Sequence, residues 1–128
     1  MTELIKKQDW KGFFDRISYD FLDWETSVRI ISDGSSSQVL PDGLPFNSIT
    51  YDDQQGRDQM DVEVGARIAP HQFYSIDHPQ FVSFEPAMRG TGGTLDIEDA
   101  TGRKTLIEFT RPRRMLIEYV RSEVLTAG

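Results

Sequence analysis

Residues 10–21 read Trp-Lys-Gly-Phe-Phe-Asp-Arg-Ile-Ser-Tyr-Asp-Phe, and this stretch decides the fold class. Its large apolar side chains recur every three or four residues, at Trp10, Phe13, Phe14, Ile17 and Phe21. That period places them on one stripe of a helix, and it predicts a helix over about residues 8–19. Because the stripe is wide and aromatic, it needs a flat apolar surface to pack against. A sheet is the natural one.

After the helix, the apolar period changes to two. Residues 60–64, Met-Asp-Val-Glu-Val, alternate between apolar and acidic side chains, as a strand does when one of its faces is wet. Similar short runs continue over residues 24–110, at intervals of roughly eight to twelve residues. The best hairpin joins residues 95–99 to residues 105–110 through Ala-Thr-Gly-Arg. The chemistry of Pro-Asp-Gly at residues 41–43 predicts another turn.

These patterns predict a single α+β domain over residues 1–128. An N-terminal amphipathic helix packs on a mainly antiparallel sheet, in a sandwich or a half-open barrel. Residues 111–126 form a basic C-terminal element with two open interpretations. As a strand it would form a hairpin around Pro112; as a helix, which we favour, it would begin at Pro112.

The amino-acid composition excludes several kinds of site and segment. The chain has no cysteine, which excludes disulfides, thiolate metal sites and thiol nucleophiles. It has no apolar run of membrane-spanning length and no signal-peptide pattern at its N-terminus. We therefore expect a soluble, cytoplasmic protein with no membrane partner.

Charge is unevenly distributed along the chain. Residues 1–100 carry 8 basic and 18 acidic side chains, and residues 101–128 carry 6 and 3, so −10 and +3 sum to the net −7. The acidic bulk argues against nucleic-acid binding. The basic segment could dock an acidic partner, or it could neutralise acids of this chain or of an identical subunit. The candidate partner-binding residues are Arg111, Arg113, Arg114 and Arg121.

No catalytic constellation stands out. His71 and His78 lie seven residues apart with no third ligand at a characteristic spacing, so we predict no metal site. The acidic segment 52–63 lacks the spacing of a calcium loop, and the glycine-rich residues 90–93 lack a phosphate-loop pattern. We predict no cofactor. Enzyme activity stays open as the least favoured class.

Three motifs link the helix to later segments. They are W-x-x-F-F-D-x-x-S from Trp10, L-P-x-x-x-I-x-x-D from Leu44 and L-x-I-x-x-x-x-G-x-x-x-L-x-x-F from Leu95. Together they resemble a small bacterial family known only as a domain of unknown function, over about residues 5–110. Since the shared positions are mostly apolar or turn-forming, the resemblance implies a fold and leaves the function open.

The leading functional hypothesis is a non-catalytic interaction or regulatory protein that contacts a protein partner, or itself, through a charge-polarised surface. One alternative is an acidic inhibitor or nucleic-acid mimic that binds a basic cleft. Another is a small-molecule-binding domain with a pocket between helix and sheet. The candidate pocket residues are Phe13, Phe73, Phe81 and Phe109.

Overall fold

The computed structural model describes residues 2–65, 72–88 and 92–112. Strand β1 (Glu3–Ile5) and a short 3₁₀ helix (Lys7–Asp9) precede helix α1 (Trp10–Asp20). Seven strands follow: β2 (Glu25–Ser32), β3 (Ser35–Asp52), β4 (Gln59–Val64), β5 (Gln72–Asp77), β6 (Pro79–Pro86), β7 (Gly93–Asp99) and β8 (Lys104–Arg111). From residue 113 onward, the predicted C-terminal element lies outside the described residues.

The described strands form one open sheet in the order β1-β6-β7-β8-β2-β3-β4-β5. Every neighbouring pair is antiparallel. The α+β class is therefore confirmed, with a single open sheet in place of the expected sandwich or half-open barrel. Strand β1 was not predicted, because three residues are too few to show a period.

Helix α1 confirms the prediction made from the aromatic stripe. Trp10, Phe14 and Ile17 are buried, and they face the sheet at the spacing that the sequence indicated. Phe21 lies just past the helix end and stacks on Phe109, with ring centroids 4.3 Å apart. The helix therefore covers one face of the sheet and contributes its apolar stripe to the core.

Alternate strand positions supply the rest of the core. In β2, β4, β7 and β8 the buried side chains fall two residues apart, as a half-buried sheet requires. The fully or almost fully buried members are Val28, Phe46, Ile49, Met60, Val62, Val64, Val82, Leu95, Ile97, Ile107 and Phe109.

Strand β3 is shared between two partners, and α1 contacts it directly. Its residues 35–45 pair with β2, whereas residues 46–52 pair with β4. Ile49 lies in the second stretch, where β2 no longer pairs with the strand. There the Ser18 hydroxyl accepts a hydrogen bond from the Ile49 N–H at 3.0 Å and donates one to the Ile49 carbonyl at 3.2 Å. A helix side chain thus satisfies backbone groups that would otherwise need a strand.

Trp10 holds the N-terminal end of α1 against β1 and β3. Its indole N–H donates to the carbonyl of Ile5 at 3.1 Å, and its ring meets Tyr51 edge-on at 5.1 Å. The indole can be buried because its one polar group has a partner.

The turn predicted at Pro41-Asp42-Gly43 is wrong. Strand β3 continues through these residues, and they form an irregularity opposite β2. Thr26 pairs with Leu44 and Val28 pairs with Leu40, so four steps along β3 match two along β2. Gly43 takes a φ of +83°, which glycine adopts without strain. Turn-forming residues therefore serve here as a β-bulge.

We expect Ser18→Ala to lower the free energy of unfolding by about 1–3 kcal/mol, because two backbone groups of Ile49 lose their partner in a partly buried site. Urea denaturation followed by circular dichroism measures the change. The exposed Ser36 provides the matched control, and Ser36→Ala should leave stability nearly unchanged. Equal effects of the two substitutions would contradict the role given to Ser18.

Gly92 supplies a second test of the packing. A methyl group at Gly92 would overlap the carbonyl oxygen of Phe109, and its φ is +77°. Gly34 has a φ of +78° in open space. Both Gly→Ala variants should lose about 1–2 kcal/mol to backbone strain, and Gly92→Ala should lose roughly 1–3 kcal/mol more to overpacking. Thermal unfolding of the two variants gives the difference, and a difference near zero would refute the clash.

Candidate functional site

The sheet has two unlike faces, because successive side chains of a strand point to opposite sides. One face packs on α1. Across the other face of β6, β7, β8 and β2, no described helix packs. We call this surface the outer face. It consists of Phe81, Ser83 and Glu85 of β6, Thr94, Asp96 and Glu98 of β7, Lys104, Leu106 and Glu108 of β8, and Ser27, Arg29 and Ile31 of β2, with Leu4 of β1 at its edge.

Large apolar side chains meet solvent on the outer face. Phe81 is 56% exposed and Leu4 is 66% exposed. Leu4 lies opposite Ser83, two residues from Phe81, so the two apolar side chains are diagonal neighbours on adjacent strands. Leu106 and Ile31 are half-buried on the same face.

Strand register aligns four of these side chains in one row across the outer face. Phe81 pairs with Glu98, and Glu98 pairs with Lys104. Lys104 in turn pairs with Ile31. This row, which we call the central row, therefore runs apolar, acidic, basic, apolar from β6 to β2.

Asp96 lies one step along the strands from the central row. Its Oδ1 atom is shielded from water and accepts no hydrogen bond from the described residues; the same is true of the Ser27 hydroxyl oxygen. Burial raises the pKa of the Asp96 carboxyl, and Lys104 partly opposes that shift. A shielded acceptor without a donor is costly, so this oxygen lowers the stability of the folded chain.

A second polar cluster lies at the corner between β5 and β6. His78 turns the chain there with a φ of +52°. Its N–H donates to the Asp58 carbonyl at 2.8 Å, and its own carbonyl accepts from Ala100 at 2.9 Å. Its ring Nδ1 lies 3.4 Å from the Asp58 carboxylate, which also accepts a 2.6 Å hydrogen bond from the Tyr51 hydroxyl.

The electrostatics of this corner support a structural role. Burial, followed by the hydrogen bond to Asp58, raises the pKa of Tyr51 to about 12. The hydrogen bond from Tyr51 is the main cause that lowers the pKa of Asp58. At neutral pH the phenol is therefore a donor and the carboxylate an acceptor, and each stabilises the other's charge state. The cluster ties three segments of chain together.

The dense acidic segment between residues 52 and 63 is also largely engaged within the protein. Asp52 accepts from Arg57 at 3.1 Å, and Asp53 pairs with Lys11 at 2.7 Å. Asp61 accepts hydrogen bonds from Gln59 and Ser75. No group of three possible metal ligands occurs among the described residues.

A comparison with known protein families gives a match that covers all the described helices and strands. The sequence model of a family described as "Family of unknown function (DUF5335)" matches residues 1–116. The chain belongs to this family. The match confirms the resemblance to an uncharacterised family, and it spans α1 and all eight described strands. A search of curated proteins and a search of solved structures each found no match.

The motifs that carried the resemblance are structural in this DUF5335 chain. Trp10 and Ser18 fasten the two ends of α1 to the strands. Leu95 and Phe109 are buried, and Gly102 takes a φ of +88° in the β7–β8 turn. Membership in DUF5335 therefore accounts for the fold and assigns no reaction. Within the described residues, no helix is long and apolar enough to cross a membrane.

Of the four candidate partner-binding arginines, one lies among the described residues. Arg111 lies at the end of β8, where its Nε is 2.6 Å from the Glu25 carboxylate. This ion pair fits the neutralising alternative for Arg111. Arg113, Arg114 and Arg121 lie outside the described residues.

The four candidate pocket phenylalanines do not come together. Phe109 is buried and Phe13 is half-buried on the helix side of the sheet. Phe73 is 62% exposed and shares a strand face with Ser75 and Asp77, while Phe81 lies on the outer face. The prediction of a single pocket lined by these four rings is therefore wrong, because the phase of β5 and β6 turns Phe73 and Phe81 away from α1.

Sequence reasoning missed the outer face, although part of its signal was present. Alternation along one strand shows which residues share a side, so Thr94, Asp96 and Glu98 could have been grouped from the sequence. Their neighbours depend on strand order and register. Neither is encoded locally, since β2 lies beside β8 across a separation of about eighty residues.

We expect Asp58→Asn to lower the pKa of Tyr51 from about 12 toward its usual value of 10.0, without reaching it, since burial remains the largest cause. A raised phenol pKa contributes stability that is complete below pH 10 and lost as the pH rises toward 12. In the variant, whose Tyr51 pKa is lower, the loss of this contribution should be complete at a lower pH than in the wild type. Ultraviolet titration of the phenolates, with Tyr51→Phe to identify the Tyr51 signal, measures the shift. An unchanged titration would refute the coupling.

Proposed function

We propose that this protein is a non-catalytic interaction protein that binds another protein chain through the outer face. The observation that carries the proposal is the pair of exposed apolar side chains, Phe81 and Leu4, on a sheet face that no described helix covers. Covering the exposed half of one phenylalanine would contribute roughly 2 kcal/mol at about 25 cal/mol per Å². Neighbouring apolar groups that stay wet on a folded domain are typical of a binding surface.

The charges of the outer face favour protein over nucleic acid as the partner. Four of its residues are acidic, namely Glu85, Asp96, Glu98 and Glu108, and two are basic, namely Arg29 and Lys104. A phosphate backbone would be repelled by this balance. A protein chain can instead supply an apolar group for Phe81 and charged groups of both signs for the mixed charges around it.

The shape of the surface also distinguishes it from a small-molecule site. Small ligands bind in concave sites that enclose most of their surface. The outer face is one side of a sheet with side chains standing on it, which suits a broad partner. A cavity of about 690 Å³ opens at one end of the face, lined by residues that include Glu85, Met88 and Glu108. Its apolar lining residues, Pro86, Ala87, Met88 and Phe109, are matched by the polar residues Glu85, Thr94, Glu108 and Thr110, so it lacks the predominantly apolar lining of a small-molecule pocket.

The polar groups elsewhere give less support to the alternative functions. An acidic mimic needs free carboxylates in a continuous stripe, yet Asp52, Asp53 and Asp61 are engaged with neighbours. A hydrolytic role for His78 would need a nearby nucleophile, whereas the Tyr51 phenol is held protonated by its raised pKa of about 12.

The test compares two aromatic surface residues. Phe81→Glu places a charge at the centre of the proposed contact, whereas Phe73→Glu places the same charge on an exposed phenylalanine of β5, at the far edge of the sheet. Affinity capture from cells of the source organism, quantified by mass spectrometry, should show partner recovery reduced by about tenfold or more in Phe81→Glu only. Equal recovery by both variants would contradict the assignment of the outer face.

A further inference from the structure

We infer that the protein bound by the outer face is a second copy of this chain, packed face to face about a two-fold axis. The inference rests on the proposed function and names its partner. It is drawn from the pattern of the central row, from the charges of the adjacent row and from the area of the face.

The central row is complementary to its own two-fold image. It reads Phe81, Glu98, Lys104 and Ile31 on four neighbouring strands. A two-fold axis parallel to the strands, passing between β7 and β8, reverses the row. Glu98 then faces Lys104 of the second copy, and Phe81 faces Ile31 of the second copy. Both contacts occur twice, as an isologous interface requires.

The charges of the central row are available for such a contact. No ion pair involving Glu98 or Lys104 occurs within the described part of the chain. Flanking apolar groups would exclude water from the two crossed pairs, which sharpens their effect on orientation and register.

The adjacent row also brings opposite charges together. It runs Ser83, Asp96, Leu106 and Arg29. The same axis brings Arg29 of the second copy over Ser83, one strand from Asp96. Neighbouring strands are about 4.8 Å apart, a distance that an arginine side chain spans, so its guanidinium can approach the Asp96 side chain.

The area of the face sets the expected affinity. The axis lays four strands of the outer face, β6, β7, β8 and β2, over their own images. Four strands about 4.8 Å apart and seven residues rising about 3.4 Å each make a patch of roughly 460 Å². Two such patches bury about 900 Å², which is the size of a weak, transient interface. Sheets packed in this way lie about 10 Å apart with their strands nearly aligned. We therefore expect a weak dimer that exchanges with monomer.

The test uses charge reversal on full-length protein. Fluorescence-detected sedimentation, over about 1 µM to about 1 mM, covers the concentrations at which a weak dimer dissociates. Wild type should dimerise in this range. Glu98→Lys alone places two lysines face to face, and Lys104→Glu alone places two glutamates face to face, so each should weaken dimerisation by about tenfold or more.

Mixing the two single variants is the decisive step. Lysine at position 98 of one chain then faces glutamate at position 104 of the other, while the unaltered Lys104 and Glu98 face each other, so the mixture should associate as tightly as wild type. Within each chain, the like charges on β7 and β8 remain, so a folding effect cannot produce this rescue. Circular dichroism confirms that each variant is folded, and Phe73→Glu should dimerise as wild type does.

Two outcomes would overturn the inference. One is a wild-type chain that stays monomeric over the whole range; the other is two single variants that do not rescue each other. If a different protein is then captured in a Phe81-dependent way, the proposed function stands and only the identity of the partner was wrong. If nothing depends on Phe81, both fail.

Discussion

The paired hydrogen bonds between Ser18 and Ile49 are the constraint on which the rest of the arrangement depends. Strand β3 leaves β2 for β4 part-way along its length, and this change of partner frees backbone groups that water cannot reach. A helix can approach an exposed strand edge only if it brings its own donor and acceptor, and a serine hydroxyl is both. Once α1 is held there, its aromatic stripe packs on one face of the sheet. The opposite face is left without a described cover.

Elements whose signal is local were predictable from the sequence. The stripe of α1 and the alternation at residues 60–64 each span enough residues to show a period, and the β7–β8 hairpin combines alternation with a glycine turn. Strand β1 has three residues and no period of its own. The bulge around Gly43 uses residues that also build turns, so composition alone could not separate the two.

The candidate site was much less predictable, for a physical reason. A binding surface on a sheet is made by neighbours across strands, and those neighbours follow from strand order. Phe73 and Tyr74 show that an error of one residue in a strand's phase is enough to exchange its two faces. Both are aromatic and adjacent, and the choice of which one faces the core shifts the whole of β5 by one residue. Arg111 was predicted as a partner-binding residue of the basic C-terminal element, and its ion pair with Glu25 could be identified only from the pairing of β8 with β2.

The position of β8 has a consequence for how the protein is made. It is the last described strand along the chain, yet it lies in the interior of the sheet, between β7 and β2. During synthesis, the strands from β2 to β5 and the β6–β7 pair leave the ribosome as two groups with no strand between them. The edges of β2 and β7 then wait unpaired until β8 emerges. Unpaired edges can pair with strands of other chains, so the nascent chain is exposed to misassembly until β8 is inserted. The rate of translation through β8 therefore influences how the protein folds.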